Sequence, residues 1–174
     1  MQDILAKAAQ IKLVIFDVDG VLTDGRLYVL ESGDEIKAFH SRDGHGMKML
    51  QSTGVEIGII TGRTSRIVGH RMDELGIRHV YQGQKDKLPA FYQLIQKLNL
   101  DPQQVAYAGD DVVDLPVMTK VGLAIATADA HPVVKQHAHW HTTQPGGFGA
   151  ARDVCELIME AQETLPKLIQ HYVS

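Results

Sequence analysis

Asp17 and Asp19 stand two residues apart in the stretch "VIFDVDGVLTDG" (14–25), directly after a run of strand-forming apolar residues. Two ionised carboxylates this close repel each other, and an apolar neighbourhood makes each costlier to ionise. Either the strand ends there in a solvated turn or a cation is expected at that spot. Other chemically capable groups recur in short motifs further on: Thr61 and Arg63 in "TGR", Lys87 in "KDKLP", and Asp110, Asp111 and Asp114 in "GDDVVDLP". Carboxylates from separate strands, together with water, suit Mg²⁺, a hard cation with octahedral oxygen coordination. An ionised aspartate can also attack phosphorus, while a lysine amine and a threonine hydroxyl hold the charge on phosphoryl oxygens. An EF-hand calcium loop does not fit, because its glycine is the sixth position and Gly20 is the fourth from Asp17.

The elements that must position these groups follow from the hydrophobic pattern. "KLVIFD" (12–17), "VEIGIIT" (55–61), "RHVYQ" (78–82), "QVAYAGD" (104–110) and "GLAIAT" (122–127) read as strands. "DGHGMKMLQST" (43–53), "SRIVGHRMDELG" (65–76), "DKLPAFYQLIQKLN" (86–99) and "DLPVMTKV" (114–121) read as helices, several followed by the Gly or Asn of a helix end. Pro89 is compatible only with the first turn of its helix. Near-continuous apolar strands alternating with helices predict an α/β fold, a Rossmann-like parallel sheet with helices on both faces. In such sheets ligands bind outside the carboxyl ends of the strands. Asp17, Asp19, Thr61, Arg63, Lys87, Asp110, Asp111 and Asp114 all fall at those ends or in the first turn beyond, so they converge on one rim.

One stretch breaks the rhythm. "GRLYVLESGDEIKAFH" (25–40) alternates in polarity on both sides of "ESGDE" and predicts a β-hairpin directly after the two acids. A two-stranded ribbon is marginal alone, so a flap or a contact between subunits is its expected use.

Length and composition set the bounds. The chain's 174 residues favour one domain, here 1–174, without a linker or a repeat. Apolar residues at 44 % and charged residues at 22 % are those of a globular protein, and the net charge of -4 argues against a nucleic-acid surface. The single cysteine, Cys155, excludes an internal disulfide and fits a reducing cytoplasm. "MQDILAKAAQIK" lacks the features of a signal peptide, and no run approaches the ~18 apolar residues of a membrane span. A cytoplasmic protein that neither enters a membrane nor binds nucleic acid is expected.

Taken together, "DVDGVLTDG", "TGR", the lysine after the third strand and "GDDVVDLP" resemble the four motifs of the haloacid dehalogenase superfamily over roughly residues 10–130. "DGVLTDG", "SRDGHGMKML", "GDDVVDLPVM", "ADAHP" and "GGFGAARDV" are closer still to the capless phosphatases of 3-deoxy-D-manno-octulosonate 8-phosphate, over nearly the whole chain. The resemblance implies a Mg²⁺-dependent phosphatase of lipopolysaccharide precursor synthesis. Asp17 would be nucleophile and metal ligand. Asp19 would bind the metal through its backbone carbonyl and act as acid and base, and Asp110 would complete the protein ligands. Asp111 and Asp114 would support them, and Thr61 and Lys87 would hold the phosphoryl group. The sugar acid would meet His40, Ser41, Arg42, Asp43, Gly44, Lys48, Arg63 and Arg71, where arginine forks match a carboxylate. With no large cap, the resemblance implies a homotetramer in which the hairpin (25–40) and the tail (145–174) cover a neighbour's site. Relatives commonly carry a basic residue where this chain has Phe148, which leaves Arg152 as the polar reach of the tail.

Competing readings remain at this level. A nine-carbon sialic-type acid 9-phosphate would use the same chemistry. A phospho-receiver also has an acid cluster, Thr and Lys, but carries its acceptor after the third strand, and a non-catalytic assembly domain would not need the motif set. "HAHWH" reads as a strand with His137, His139 and His141 on one face, a possible zinc site outweighed by a solvated face, with Trp140 opposite in core or interface. Cys155 is expected to be buried rather than reactive.

Overall fold

The computed structural model describes residues 1–173. Six parallel strands form the sheet: β1 (Leu13–Phe16), β4 (Glu56–Ile60), β5 (His79–Tyr81), β6 (Val105–Gly109), β7 (Leu123–Ala126) and β8 (Trp140–His141), in the order β5-β4-β1-β6-β7-β8. The chain builds outward from β1 in one direction, returns, and builds outward in the other. The order therefore reverses between β1 and β6, and the loops leaving these two strands part to open a crevice at their carboxyl ends.

Strand alternation sorts the core into two layers. Val14, Phe16, Ile57, Ile59, Ala106, Ala108, Leu123 and Ile125 face one side. There they meet α1 (Gln2–Ala8), α2 (Ser41–Ser52), α3 (Arg66–Leu75) and α7 (Ala150–Ala161). Leu13, Ile15, Tyr107 and Ala124 face the other side, against α4 (Leu88–Leu98), α5 (Leu115–Met118) and α6 (Pro132–His137). Phe16 and Phe91 are fully buried in opposite layers, and truncating either to Ala would cost about 3–5 kcal/mol. The helix ends follow the expected chemistry. Gly76 closes α3 at φ 71° and Asn99 closes α4 at φ 53°, both left-handed, and Pro89 lies in the first turn of α4.

The hairpin is present but short: β2 (Tyr28–Val29) pairs antiparallel with β3 (Glu35–Ile36), outside the main sheet. Leu27, Tyr28, Val29, Leu30 and Ile36 are exposed on it. Four features differ from the sequence reading. An amino-terminal helix, α1, packs on α7, and α6 occupies 132–137. A last helix, α8 (Leu165–Val173), follows α7, so the glycine-rich stretch at 145–149 enters the penultimate helix. The histidines of "HAHWH" do not share a strand face, because His137 ends α6 and only Trp140 and His141 are in β8. Pro132 starts that helix early enough to take His137 with it. Each ring is committed to the backbone: His137 Nδ1 lies 2.9 Å from Val133 O, His141 Nε2 lies 2.9 Å from Lys135 O, and His139 Nδ1 accepts from the Ala124 N–H at 2.9 Å. β8 is an edge strand; as expected, Trp140 packs on the first layer and Cys155 is buried.

Candidate active site

Asp17 is the first residue beyond β1, and its N–H continues the ladder by donating to Ala108 O at 3.1 Å. The Val18 N–H donates to Asp17 Oδ1 at 2.7 Å, and Lys87 Nζ lies 3.0 Å from Asp17 Oδ2. Lys87 stands at the N-cap of α4, its side chain 1 % exposed, and also donates to Asp114 Oδ1 at 2.7 Å. The buried Tyr107 hydroxyl donates to the same Asp114 oxygen at 2.6 Å. The other Asp114 oxygen accepts from the N–H groups of Asp110 and Asp111 at 3.0 and 3.2 Å. Asp114 is thus the post that fixes both the lysine and the turn after β6. Asp111 caps the short 3-10 turn Val112–Asp114 through the Val112 N–H at 2.7 Å.

Oxygens of Asp17, Asp110 and Asp114 lie within 4.8 Å of one another. Burial and the repulsion of Asp114 push the Asp17 carboxyl up to about 6, against the pull of Lys87. Burial, then Asp114, Asp17 and Asp111, push Asp110 up to about 8. For Lys87 burial works against the charged form, but the two carboxylates outweigh it and the net shift is upward. Asp110 Oδ1 is buried without a hydrogen-bond partner. One ammonium therefore faces three acids, and the donor set is all oxygen with one buried oxygen unused. That is the environment a hard divalent cation completes, so the residues fit Mg²⁺.

Gly20 lets the chain turn directly over this cluster. Its φ is +90°, and a Cβ there would lie 2.0 Å from Asp110 Oδ2, so no side chain fits. The Asp19 carboxylate, by contrast, is paired with cations: Oδ1 is 2.5 Å from Lys37 Nζ and Oδ2 is 4.0 Å from Arg63 Nε. Arg63 also pairs with Glu35 of β3.

These groups border a cleft of about 470 Å³ at the crevice between β1 and β6, lined by Asp17, Asp19, Thr61, Arg63, Lys87, Asp110 and Asp111, together with Gln84 and Lys85. Thr61 is buried at its wall, one residue past β4. The expected sugar-acid residues divide. Arg63 lines the cleft, whereas His40, Ser41, Arg42, Asp43, Gly44, Lys48 and Arg71 do not. His40 caps α2 by accepting from the Arg42 N–H at 3.1 Å, Ser41 and Lys48 are exposed on α2, and Arg71 pairs with Glu74 at 2.8 Å against Gly44. Asp43 is buried and its Oδ1 accepts from the Arg152 N–H at 2.8 Å, while Oδ2 has no partner. Arg42, Phe148 and Arg152 border a second hollow of about 320 Å³.

Lys37, Lys85, Gln84 and Tyr107 are site residues that sequence reasoning missed. Tyr107 carried a signal, since a tyrosine hydroxyl inside an apolar strand must find a partner. Lys37 carried a weaker one, as a charge on a ribbon that starts at the acids.

Residues 76–146 match the family model of the haloacid dehalogenase-like hydrolases. The chain is 49 % identical over 163 residues to the 3-deoxy-D-manno-octulosonate 8-phosphate phosphatase KdsC of Yersinia pestis, spanning 94 % of this chain and 87 % of that one. A probable YrbI-family phosphatase from Pseudomonas syringae superposes with a TM-score of 0.99 at 50 % identity, over 100 % of this chain and 99 % of the other. The 3-deoxy-D-manno-octulosonate 8-phosphate phosphatase of Moraxella catarrhalis, solved in complex with magnesium ion, phosphate ion and a KDO molecule, superposes with a TM-score of 0.97 at 41 % identity, over 99 % of each chain.

Proposed function

The chain belongs to the 3-deoxy-D-manno-octulosonate 8-phosphate phosphatases of the haloacid dehalogenase-like hydrolases, and from that premise we propose how its own residues carry out the reaction. It is a phosphoric monoester hydrolase that releases the free sugar acid and phosphate from the 8-phosphate, with Mg²⁺ as cofactor. The observation that carries the residue assignment is the buried Asp17, held between the Val18 N–H and Lys87 at the mouth of the cleft.

Asp17, Asp110 and the Asp19 backbone carbonyl would hold the Mg²⁺, with Asp114 beside them and Asp111 supporting the turn. The bound ion supplies Lewis-acid stabilisation of charge on the phosphoryl oxygens. An ionised Asp17 oxygen attacks phosphorus, a new P–O bond to the carboxylate forms, and the bond to the sugar oxygen breaks. Lys87 and the Thr61 hydroxyl stabilise the charge on the transferring group. Asp19 gives the sugar oxygen its proton, and its carboxylate then takes a proton from the water that attacks the aspartyl-phosphate, which frees Asp17 and phosphate. Lys37 occupies Asp19 Oδ1, so Oδ2 is the atom that carries this proton. Arg63, Gln84 and Lys85 give the cleft the polarity to receive a sugar acid.

The fuller arrangement is part of the same reading. Residues 1–174 act as one phosphatase domain, with 25–40 as flap and 145–174 as tail. The chain forms a homotetramer in which the hairpin and the tail, with Arg152, cover a neighbour's cleft, and residues 40–44, Lys48, Arg63 and Arg71 meet the sugar acid. The five exposed apolar residues of the hairpin support this. Among the described residues no helix is long and apolar enough to cross a membrane. A cytoplasmic role in lipopolysaccharide precursor synthesis is proposed with it.

The decisive experiment is phosphate release from the eight-carbon and nine-carbon sugar-acid phosphates, with and without Mg²⁺, by the native protein and Asp17→Asn. Activity on the eight-carbon substrate that needs both Mg²⁺ and Asp17 is expected. Preference for the nine-carbon acid, or turnover by Asp17→Asn, would overturn the reading.

A further inference from the structure

Gly146 and Gly147 take no part in the chemistry above, yet they press on the catalytic loop more closely than any side chain could. A Cβ on Gly146 would lie 1.8 Å from Gly20 O and 3.0 Å from Thr23 O, and one on Gly147 would lie 2.5 Å from Asp24 N. The contact is bonded as well as close. The Gly147 N–H donates to Val21 O at 3.0 Å, and the Gly146 N–H donates to Asp129 Oδ1 at 3.0 Å. Gly20 in turn lies against the Asp110 carboxylate, where a Cβ would meet Oδ2 at 2.0 Å. The backbone of Gly20 is therefore in close contact with both the Asp110 carboxylate and the backbone of Gly146, and neither contact leaves room for a side chain on either glycine.

We propose that Gly146 and Gly147 are positioning residues: they form a backbone seat that holds the loop 18–24 against Asp110 and so keeps Asp19 and Asp110 in catalytic register. The proposal rests on the phosphatase reading. The seat is itself anchored at both ends. Asp129, just past β7, holds Gly146, and Gly149 begins α7, whose Arg152 N–H is held by the buried Asp43. Val18, Val21 and Leu22 anchor the loop in the core, but Gly20 itself has no side chain to bury and its N–H makes one long hydrogen bond, to the Thr23 hydroxyl at 3.3 Å. Without the seat, the Gly20 peptide loses the backbone packed against its carbonyl and can shift locally from Asp110 between its anchored neighbours. A lift of about 1 Å in a catalytic constellation can cost about 10²-fold in rate.

A purely structural role for these glycines predicts something different, and Gly122 supplies the control. A Cβ there would lie 2.1 Å from Gln103 O, a comparable clash at the amino end of β7, at the far end of the sheet from the cleft. Gly146→Ala and Gly122→Ala in the full chain are both expected to lower the thermal midpoint. Only Gly146→Ala should lower kcat/KM, by about 10²-fold, and also shrink the rise in thermal midpoint that Mg²⁺ alone produces. Asp129→Ala removes the anchor without a clash, at an exposed position, and should lower kcat/KM by about tenfold with the fold intact, the scale seen when a support behind a metal ligand is lost. If Gly146→Ala behaves like Gly122→Ala, or if it does not fold and Asp129→Ala matches the native protein in both readouts, the seat has no positioning role. Native protein that is inactive on every sugar-acid phosphate but still responds to Mg²⁺ would instead overturn the phosphatase reading, and the midpoint comparison would still decide the seat.

Discussion

Lys37 Nζ lies 2.5 Å from Asp19 Oδ1, and its side chain is only 3 % exposed although it belongs to a ribbon outside the main sheet. The hairpin is thus folded back on its own cleft through charge: Lys37 also faces Glu35 at 3.8 Å, and Glu35 pairs with Arg63. Exposed apolar residues cannot hold a two-stranded ribbon in place alone, so these four charges set its angle over the cleft.

Removing the Lys37 ammonium should free the Asp19 carboxylate to rotate. A hydrogen bond to a charged group contributes about 1.5–3 kcal/mol, so Lys37→Met is expected to lower kcat about ten- to hundredfold with a smaller change in KM. Steady-state kinetics on the eight-carbon phosphate measures both, and an unchanged kcat would show that Lys37 does not orient Asp19.

Lys87→Met leaves Asp17 and Asp114 facing each other across a buried gap without their ammonium. Breaking such a pair costs about 3–5 kcal/mol, and the lost charge at the phosphoryl group should cost about 10²–10³ in kcat. Urea unfolding and phosphate release test the two halves separately. Native-like stability would mean that Lys87 is not the counter-ion of these acids.

The raised carboxyls predict a pH signature in metal-free protein. Asp17 at about 6 and Asp110 at about 8 stand above the ordinary 3.8. Between these values the folded state keeps protons that the unfolded chain has lost, so stability falls as pH rises from about 4 and the loss is complete above about 8. In EDTA the thermal midpoint should decline across that window. Saturating Mg²⁺ should flatten the decline, and its affinity should increase with pH as the competing protons leave. Parallel curves with and without the metal would contradict the proposed ligand set.

The exposed ribbon should matter to assembly. Val29→Glu and Ile36→Glu place charges on residues 61 % and 51 % exposed, so each should leave monomer stability within about 0.5 kcal/mol of native. Sedimentation should show the assembly shifted toward smaller species, with activity falling alongside. A native sedimentation profile would remove the hairpin from the subunit interface.

Much of this architecture was legible in the chain because it rests on local chemistry. Strand runs ending in Asp17, Thr61 and Asp110 placed three walls of the cleft, since a parallel strand buried on both faces must end where its polar residues begin. Gly76, Asn99 and Pro89 marked helix boundaries because few other residues suit those conformations. Contacts that depend on the path of the chain in space were not legible. The reach of Lys37 to Asp19, the hold of Lys87 on Asp114, and the packing of Gly146 against Gly20 join residues remote in sequence. The histidines of "HAHWH" misled because alternation cannot distinguish a strand from a helix end that runs into one. Residues 40–44 at the start of α2 fall outside the cleft, a placement that their spacing does not encode.

The central position of β1 has a consequence for the protein's synthesis. Asp17 leaves the ribosome well before β6, yet its N–H is held by Ala108 of β6, and that pairing must wait until β6 has emerged. Bacterial and eukaryotic ribosomes add about 5–20 residues per second, so every new copy passes through seconds in which the nucleophile exists and its pocket does not. Phosphatase activity is therefore withheld from partial chains by strand order alone.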